Sequence, residues 1–117
     1  MANTFKVETK SSVVTAAITD ATAVLVTAGG SATLVLLSIL LSNKTGTSAD
    51  VDVYLETNGS GAGNDDVYLI RNAPVPAGSS LECISGSKVI MEASDKLRIR
   101  CATASAVDAS VSYLEQT

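Results

Sequence analysis

Two carboxylates in succession, Asp65 and Asp66, close the Gly- and Asn-rich stretch NGSGAGNDD, Asn58 to Asp66. Carboxylates beside a Gly-rich turn are a combination that can hold Ca²⁺, which takes several carboxylate and carbonyl oxygens as ligands. The D-x-[DN]-x-[DN]-G spacing of a calcium loop does not occur, so an ordinary flexible loop is expected. GSGAG in the same stretch also fails as a phosphate cradle, because no Lys-Ser/Thr pair and no helix pattern follow it. Glu56, Glu82, Glu92 and Glu115 carry the other chemistry open to a protein of this composition, acid and base work on a glycosidic bond. Their strand positions point them to solvent. Ser and Thr are plentiful, but G-x-S-x-G is absent and the chain has no His. Without His it lacks the most common general base, the usual triad partner and a frequent zinc ligand. A non-enzymatic chain with no catalytic residue, metal or cofactor is the expectation.

Cys83 and Cys101 are the two thiols. A small secreted domain stapled by disulfides usually carries more cysteines, so these are expected unpaired, as small apolar side chains at inward strand positions. Lys96, Arg98 and Arg100 fall on one face of a strand by their period of two, which reads as a solvated face. The other basic residues are scattered. With a net charge of −4 and a pI near 4.5, the chain lacks the clustered Lys and Arg that bind nucleic acid by releasing counterions. It has no Trp and only four aromatics, Phe5, Tyr54, Tyr68 and Tyr113, a poor supply for stacking sugars or bases. The start MANTFKVETK has no apolar stretch after a basic segment, and no later run reaches the about 20 apolar residues of a membrane span. Synthesis in the cytoplasm without the usual export route is therefore expected.

The elements that must position these residues are strands. Val, Thr, Ser and Gly abound, and no long stretch keeps a 3.6-residue apolar period. Strand signals cover Phe5 to Thr9, Val13 to Ile18, Ala23 to Thr27 and Thr33 to Asn43. They continue at Val51 to Thr57, Val67 to Arg71, Ser80 to Ile84, Lys88 to Glu92, Lys96 to Ala102 and Ala109 to Glu115. Both prolines lie in APVPAG, Ala73 to Gly78, which marks an extended crossing or a sheet edge because Pro cannot donate a ladder hydrogen bond. About eight to ten short strands with turns roughly every 8 to 12 residues indicate an all-β fold, an antiparallel β-sandwich of jelly-roll or immunoglobulin-like type. A chain of 117 residues makes one such domain, over 13–117, with 1–12 as an N-terminal arm or edge strand.

One strand is unusual. TLVLLSILLSN, Thr33 to Asn43, is apolar on both alternating sets, with Leu34, Leu36, Ser38 and Leu40 on one side and Val35, Leu37, Ile39 and Leu41 on the other. In a two-layer sandwich only one face of a strand meets the opposing sheet, so the second face needs a cover. The candidate cover is a neighbouring subunit, and the candidate contact residues are Leu34, Val35, Leu36, Leu37, Ile39 and Leu41, together with Phe5 on the N-terminal arm.

The order of features from Asn72 to Thr117 resembles a known type. A Pro-x-Pro-Ala-Gly turn leads into a short strand, then a short strand with Val89 and Met91. A tight turn at Ser94-Asp95, a K-L-R-I strand and a closing S-V-S-Y-L-E strand complete it. Upstream, MANTFK, the long apolar strand ending Ser42-Asn43 and V-D-V-Y-L agree. This pattern resembles the small β-sandwich virion structural proteins of tailed bacteriophages, of marine and cyanophage type. The resemblance implies a repeated, cofactor-free structural subunit located in the virion. A capsid decoration or cement protein is the leading role, and a tail, neck or fibre module the alternative. Its implied partners are copies of itself and other virion proteins such as the major capsid protein. The two-sided apolar strand needs a partner and ring symmetry suits a repeated surface element, so a homotrimer is expected, with no nucleic acid, membrane or small-molecule substrate. A carbohydrate- or cell-surface-binding sandwich is the reading of another class.

Overall fold

The computed structural model describes residues 2–57, 65–84 and 88–117. Among these residues there is no helix, and nine strands form: β1 (Asn3–Lys10), β2 (Val24–Thr27), β3 (Thr33–Asn43), β4 (Ala49–Glu56), β5 (Val67–Val75), β6 (Ser80–Glu82), β7 (Val89–Met91), β8 (Lys96–Cys101) and β9 (Val107–Gln116). They build two antiparallel sheets packed face to face. One has the order β1-β9-β3, with β6 and β7 both on the far side of β3; the other has the order β2-β8-β4-β5. The pairing is nested: β1 with β9, β2 with β8, β3 with β6 and β7, β4 with β5. A long antiparallel hairpin rolled up on itself gives this order, so of the two sandwich types the strand order is that of the jelly roll, with one strand split into β6 and β7.

The inward faces supply the core. Leu34, Leu36, Ile39 and Leu41 of β3 meet Val51 and Val53 of β4, Leu97, Ile99 and Cys101 of β8 and Val107, Val111 and Tyr113 of β9, together with Val13, Val75 and Met91. The inward residues of β3 change parity partway, from even numbers to odd. The cause is a β-bulge: Leu36 pairs with Tyr113 and Ser38 with Ser112, so Leu37 is an extra residue with no opposite number. A bulge turns two successive side chains to one side, and Leu37 and Ser38 both point outward. Strict alternation therefore assigns the faces wrongly beyond Leu36. Ile39 and Leu41 belong to the core and Leu40 to the outer face. Much of the two-sided apolarity of this strand is one apolar face that switches parity.

Val13 to Ile18 does not form a strand. Its backbone crosses from the β1 sheet to the β2 sheet, with the Val13 N–H donating to Val107 O and the Cys101 N–H to Val14 O. Arginine side chains then take the place of a neighbouring strand. Arg100 donates from Nε to Ala16 O at 3.1 Å and from Nη2 to Thr15 O at 3.2 Å, and Arg98 donates from Nη1 to Asp20 O at 2.8 Å. The Lys96, Arg98 and Arg100 face is accordingly not a solvated one. Arg98 is only 7% exposed, and its Nε donates to Glu56 Oε1 at 2.6 Å across β4. Here β-branched content was outweighed by a fan of planar donors that satisfies carbonyls without a sheet partner.

Two more buried polar side chains set the strand connections. Asn43 donates from Nδ2 to Thr47 O and Val75 O at 2.7 and 2.9 Å, and its Oδ1 accepts from the Thr45 N–H and hydroxyl, which locks the turn between β3 and β4. Asp52 accepts the N–H of Asn72, a residue at φ 52, and the Arg100 Nη1, which holds the irregular pairing of β4 with β5. Pro74 lies in β5 at the edge of its sheet, where a missing N–H is harmless.

Candidate interaction surface

Among the described residues, the outer face of the five-stranded sheet carries no second layer. On it the pairing brings Phe5 opposite Leu114 and Leu114 opposite Val35, with Val35 opposite Ile90. Val7 lies opposite Ser112, and Leu37 reaches a shallow hollow of about 300 Å³ lined also by Phe5, Val7 and Ser112. Phe5 is 77% exposed, Val7 59%, Ile90 51% and Leu40 39%. An exposed apolar stripe of this kind, broken by the small hydroxyls of Ser38, Ser110 and Ser112, marks a candidate contact surface.

Of the residues the sequence proposed for a subunit contact, Val35, Leu37 and Phe5 lie on this stripe. Leu34, Leu36, Ile39 and Leu41 do not; each is at most 1% exposed in the core. Val7, Leu40, Ile90 and Leu114 belong to the stripe and were missed. For Val7 the signal was present in FKVETK, where alternation puts Phe5 and Val7 on one face and Lys6, Glu8 and Lys10 on the other. For Leu40 the bulge hid it.

β1 is part of the sheet, not a free arm. Every residue from Asn3 to Lys10 pairs with β9 in unbroken register. Its end is clamped by Asp108, whose Oδ1 accepts the Ser12 N–H and the Lys44 ammonium, both at 2.8 Å. The Lys44 hydrogen bond, followed by that of Ser12, holds the Asp108 carboxyl below its usual range. The clamp is present above the carboxylate range and is lost as pH falls through it.

The carboxylates do not assemble into a catalytic pair. Glu56 sits on the β4 sheet and is bound to Arg98, with Lys96 at 3.9 Å; Glu115 is on the opposite sheet and pairs with Lys6 at 2.7 Å. Glu82 is exposed on β6, and Glu92 lies in the turn after β7, where its N–H donates to Asp95. Glu92, Asp95 and Asp65 share the rim of a cleft of about 370 Å³ with Leu55, Thr57 and Ile90. Among the described residues no group of three or more Cys, Asp or Glu is arranged to hold a metal. Asp66 is engaged in closing the loop base, accepting the Thr57 N–H at 2.8 Å and hydroxyl at 3.1 Å. Residues 58–64 of the calcium-loop candidate lie outside the described residues.

On the far sheet Tyr54 and Tyr68 pack edge to face, with ring centroids 4.8 Å apart, and the Arg71 guanidinium lies 5.0 Å over the Tyr68 ring. Burial, then the Asp66 carboxylate, raises the Tyr54 phenol. A crossed pair with a cation over one ring offers a sugar less stacking area than two coplanar rings.

Cys83 and Cys101 are both free thiols, the first half-buried and the second buried. Burial pushes the Cys83 thiol up, away from the reactive thiolate. Alkylation without reductant is expected to label Cys83 slowly and Cys101 not at all in the native chain, and both after denaturation. Intact-mass measurement checks this. The thermal midpoint should not move on adding reductant, and a denatured chain that takes up no label would mean joined thiols.

Comparison of the chain with protein-family models, with curated proteins and with solved structures finds no match.

Proposed function

We propose that this chain is a non-enzymatic structural subunit of a tailed-phage virion, a decoration or cement protein that binds between neighbouring shell subunits. The observation that carries this reading is the uncovered apolar stripe through Phe5, Val7, Val35, Leu37, Leu40, Ile90 and Leu114 on a small acidic roll. A domain that leaves this much apolar surface open gains by covering it with a lattice or with its own copies. Jelly rolls serve in viral shells and in lectins alike, so the fold by itself does not choose between those roles. The crossed Tyr54 and Tyr68 pair beneath Arg71 favours the shell over the sugar.

Quantitative mass spectrometry of purified virions encoding this chain tests the reading. Hundreds of copies per particle are expected for the shell role. A few to a few dozen would move the chain to the tail, neck or fibre, and none would remove it from the virion. Specific retention on a glycan array would favour the carbohydrate-binding reading instead.

A further inference from the structure

The roll has four sheet edges among the described residues, and three of them are protected. β6 and β7 are three residues each, β2 is four residues with a bulge between Val24 and Val26, and β5 carries Pro74 and two register shifts against β4. Short edge strands, bulges, prolines and charged side chains are the devices by which sheets avoid adding a foreign strand. β1 has none of the first three, and its charges, Lys6, Glu8 and Lys10, are of both signs and so repel a second strand in some registers and match it in another. It is eight residues long, holds one register throughout and contains neither Pro nor Gly.

Its backbone orientation follows from the ladder. Ala2 and Thr117 exchange both hydrogen bonds, at 3.0 and 2.9 Å. In an antiparallel pair bonded and non-bonded positions alternate, so Thr4, Lys6, Glu8 and Lys10 spend their backbone groups on β9. The N–H and C=O of Asn3, Phe5, Val7 and Thr9 point outward along the edge.

We propose that β1 pairs antiparallel with β1 of a second copy, about a two-fold axis through Val7, which joins two five-stranded sheets into one. The axis stands perpendicular to the sheet, so only same-face residues oppose one another, and the centre falls on one residue. Centring on Val7 opposes Lys6 to Glu8 of the mate and Glu8 to Lys6, with Phe5 opposite Thr9 and Thr4 opposite Lys10. Centring on Lys6 opposes two lysines. Centring on Glu8 opposes two glutamates and sets Lys6 against Lys10. Centring on Phe5 or Thr9 shortens the overlap.

The Val7 register also places the opposed charges at non-hydrogen-bonded positions, where side chains approach closest, while Phe5, Val7 and Thr9 make the backbone bonds. Lys6 is already held charged by Glu115, whose hydrogen bond raises its pKa. Phe5 and Val7, the two most exposed large apolar residues, would then line the junction, and the two apolar stripes would run together as one surface. The charge pattern is self-complementary about a two-fold, and this sets a pair of chains in place of the three-fold ring that the sequence suggested. The inference deepens the self-association within the proposed function and rests on it for its purpose, though not for its geometry.

Sedimentation of the intact chain at micromolar concentration tests it, with a particle of twice 11.9 kDa expected. Val7→Pro removes an outward N–H without touching a bond to β9, and is expected to give a folded monomer by circular dichroism. A second test stands apart from any effect of proline on folding. Chains carrying Lys6→Glu, and separately Glu8→Lys, place like charges across the axis and are expected to be monomers alone. Mixed together they restore both opposed pairs, and a heterodimer is expected. A parent that is monomeric or trimeric, a Val7→Pro chain that folds and dimerises like the parent, or a mixture no more associated than its components overturns the pairing. These outcomes are read on the isolated chain, whereas the virion role is judged by copy number in particles, so either can fail alone.

Discussion

Leu36→Asp is expected to prevent folding, whereas Leu37→Asp, one residue along, should leave a folded, soluble domain. Leu36 is fully buried between the sheets. A carboxylate there has no partner and costs several kcal/mol, comparable with the whole stability of a small domain, about 5–15 kcal/mol. Leu37 is the extra residue of the β3 bulge and points to the outer face, where it borders Phe5, Val7 and Ser112. A charge there meets water and costs little in the isolated chain. Its effect falls on assembly, since it interrupts the apolar stripe. Circular dichroism with a particle-incorporation assay on both variants checks the pair of outcomes. Two unfolded proteins would place Leu37 in the core as well. Two folded proteins that still enter particles would remove the stripe from the assembly contact.

The next largest effect is expected at Arg98. Its guanidinium holds Glu56 at 2.6 Å, the carbonyl of Asp20 at 2.8 Å and that of Ile18 at 3.4 Å, and the side chain is only 9% exposed. Arg98→Met keeps the stem and removes the donors, which leaves the partly buried Glu56 carboxylate without its closest partner. Breaking a buried charge pair from one side costs about 3–5 kcal/mol. The side chain of Glu56 keeps some contact with water, so about 3 kcal/mol is the expected loss in denaturant unfolding. Arg98→Lys should recover little of it, because one ammonium nitrogen lacks the rigid fork that sets Nε on the carboxylate and Nη1 on the carbonyl. Lys96→Met is the contrast. Its ammonium stands 3.9 Å from Glu56 and is a third exposed, and a change within about 0.5 kcal/mol is expected. Limited proteolysis should open Arg98→Met within 14–22 first. Equal losses at Arg98 and Lys96 would mean that the arginine does not hold the crossing segment.

The sequence alone determined the class of fold and most of its strands. Nine of the ten strand signals, read from alternation and from Gly, Pro and Asn breaks, correspond to β1 through β9, with no end off by more than four residues. Local alternation suffices for that, because a strand with one face in a core must be apolar at every second position. Pro74 marked an edge for a reason contained in its own covalent structure. The inward placement of Leu97, Ile99 and Cys101 was legible in the same way, and all three are fully buried.

What only the tertiary structure decided lies where a long-range partner overrides local pattern. The bulge at Leu37 exists because β3 and β9 pair out of step there, and β9 is some seventy residues away. No local period reveals it, so the candidate contact set mixed core residues with surface ones. Val13 to Ile18 has the composition of a strand, but the carbonyls of Thr15, Ala16 and Ile18 face arginines from β8 instead of a neighbouring backbone. The two sandwich types differ only in which distant strands pair, and the nested order settled that. The open edge of β1 has the same origin. FKVETK contains its charge pattern, but that those charges lie along an open edge follows from β9 taking one side of β1 and no strand among the described residues taking the other, which residue order within β1 cannot encode.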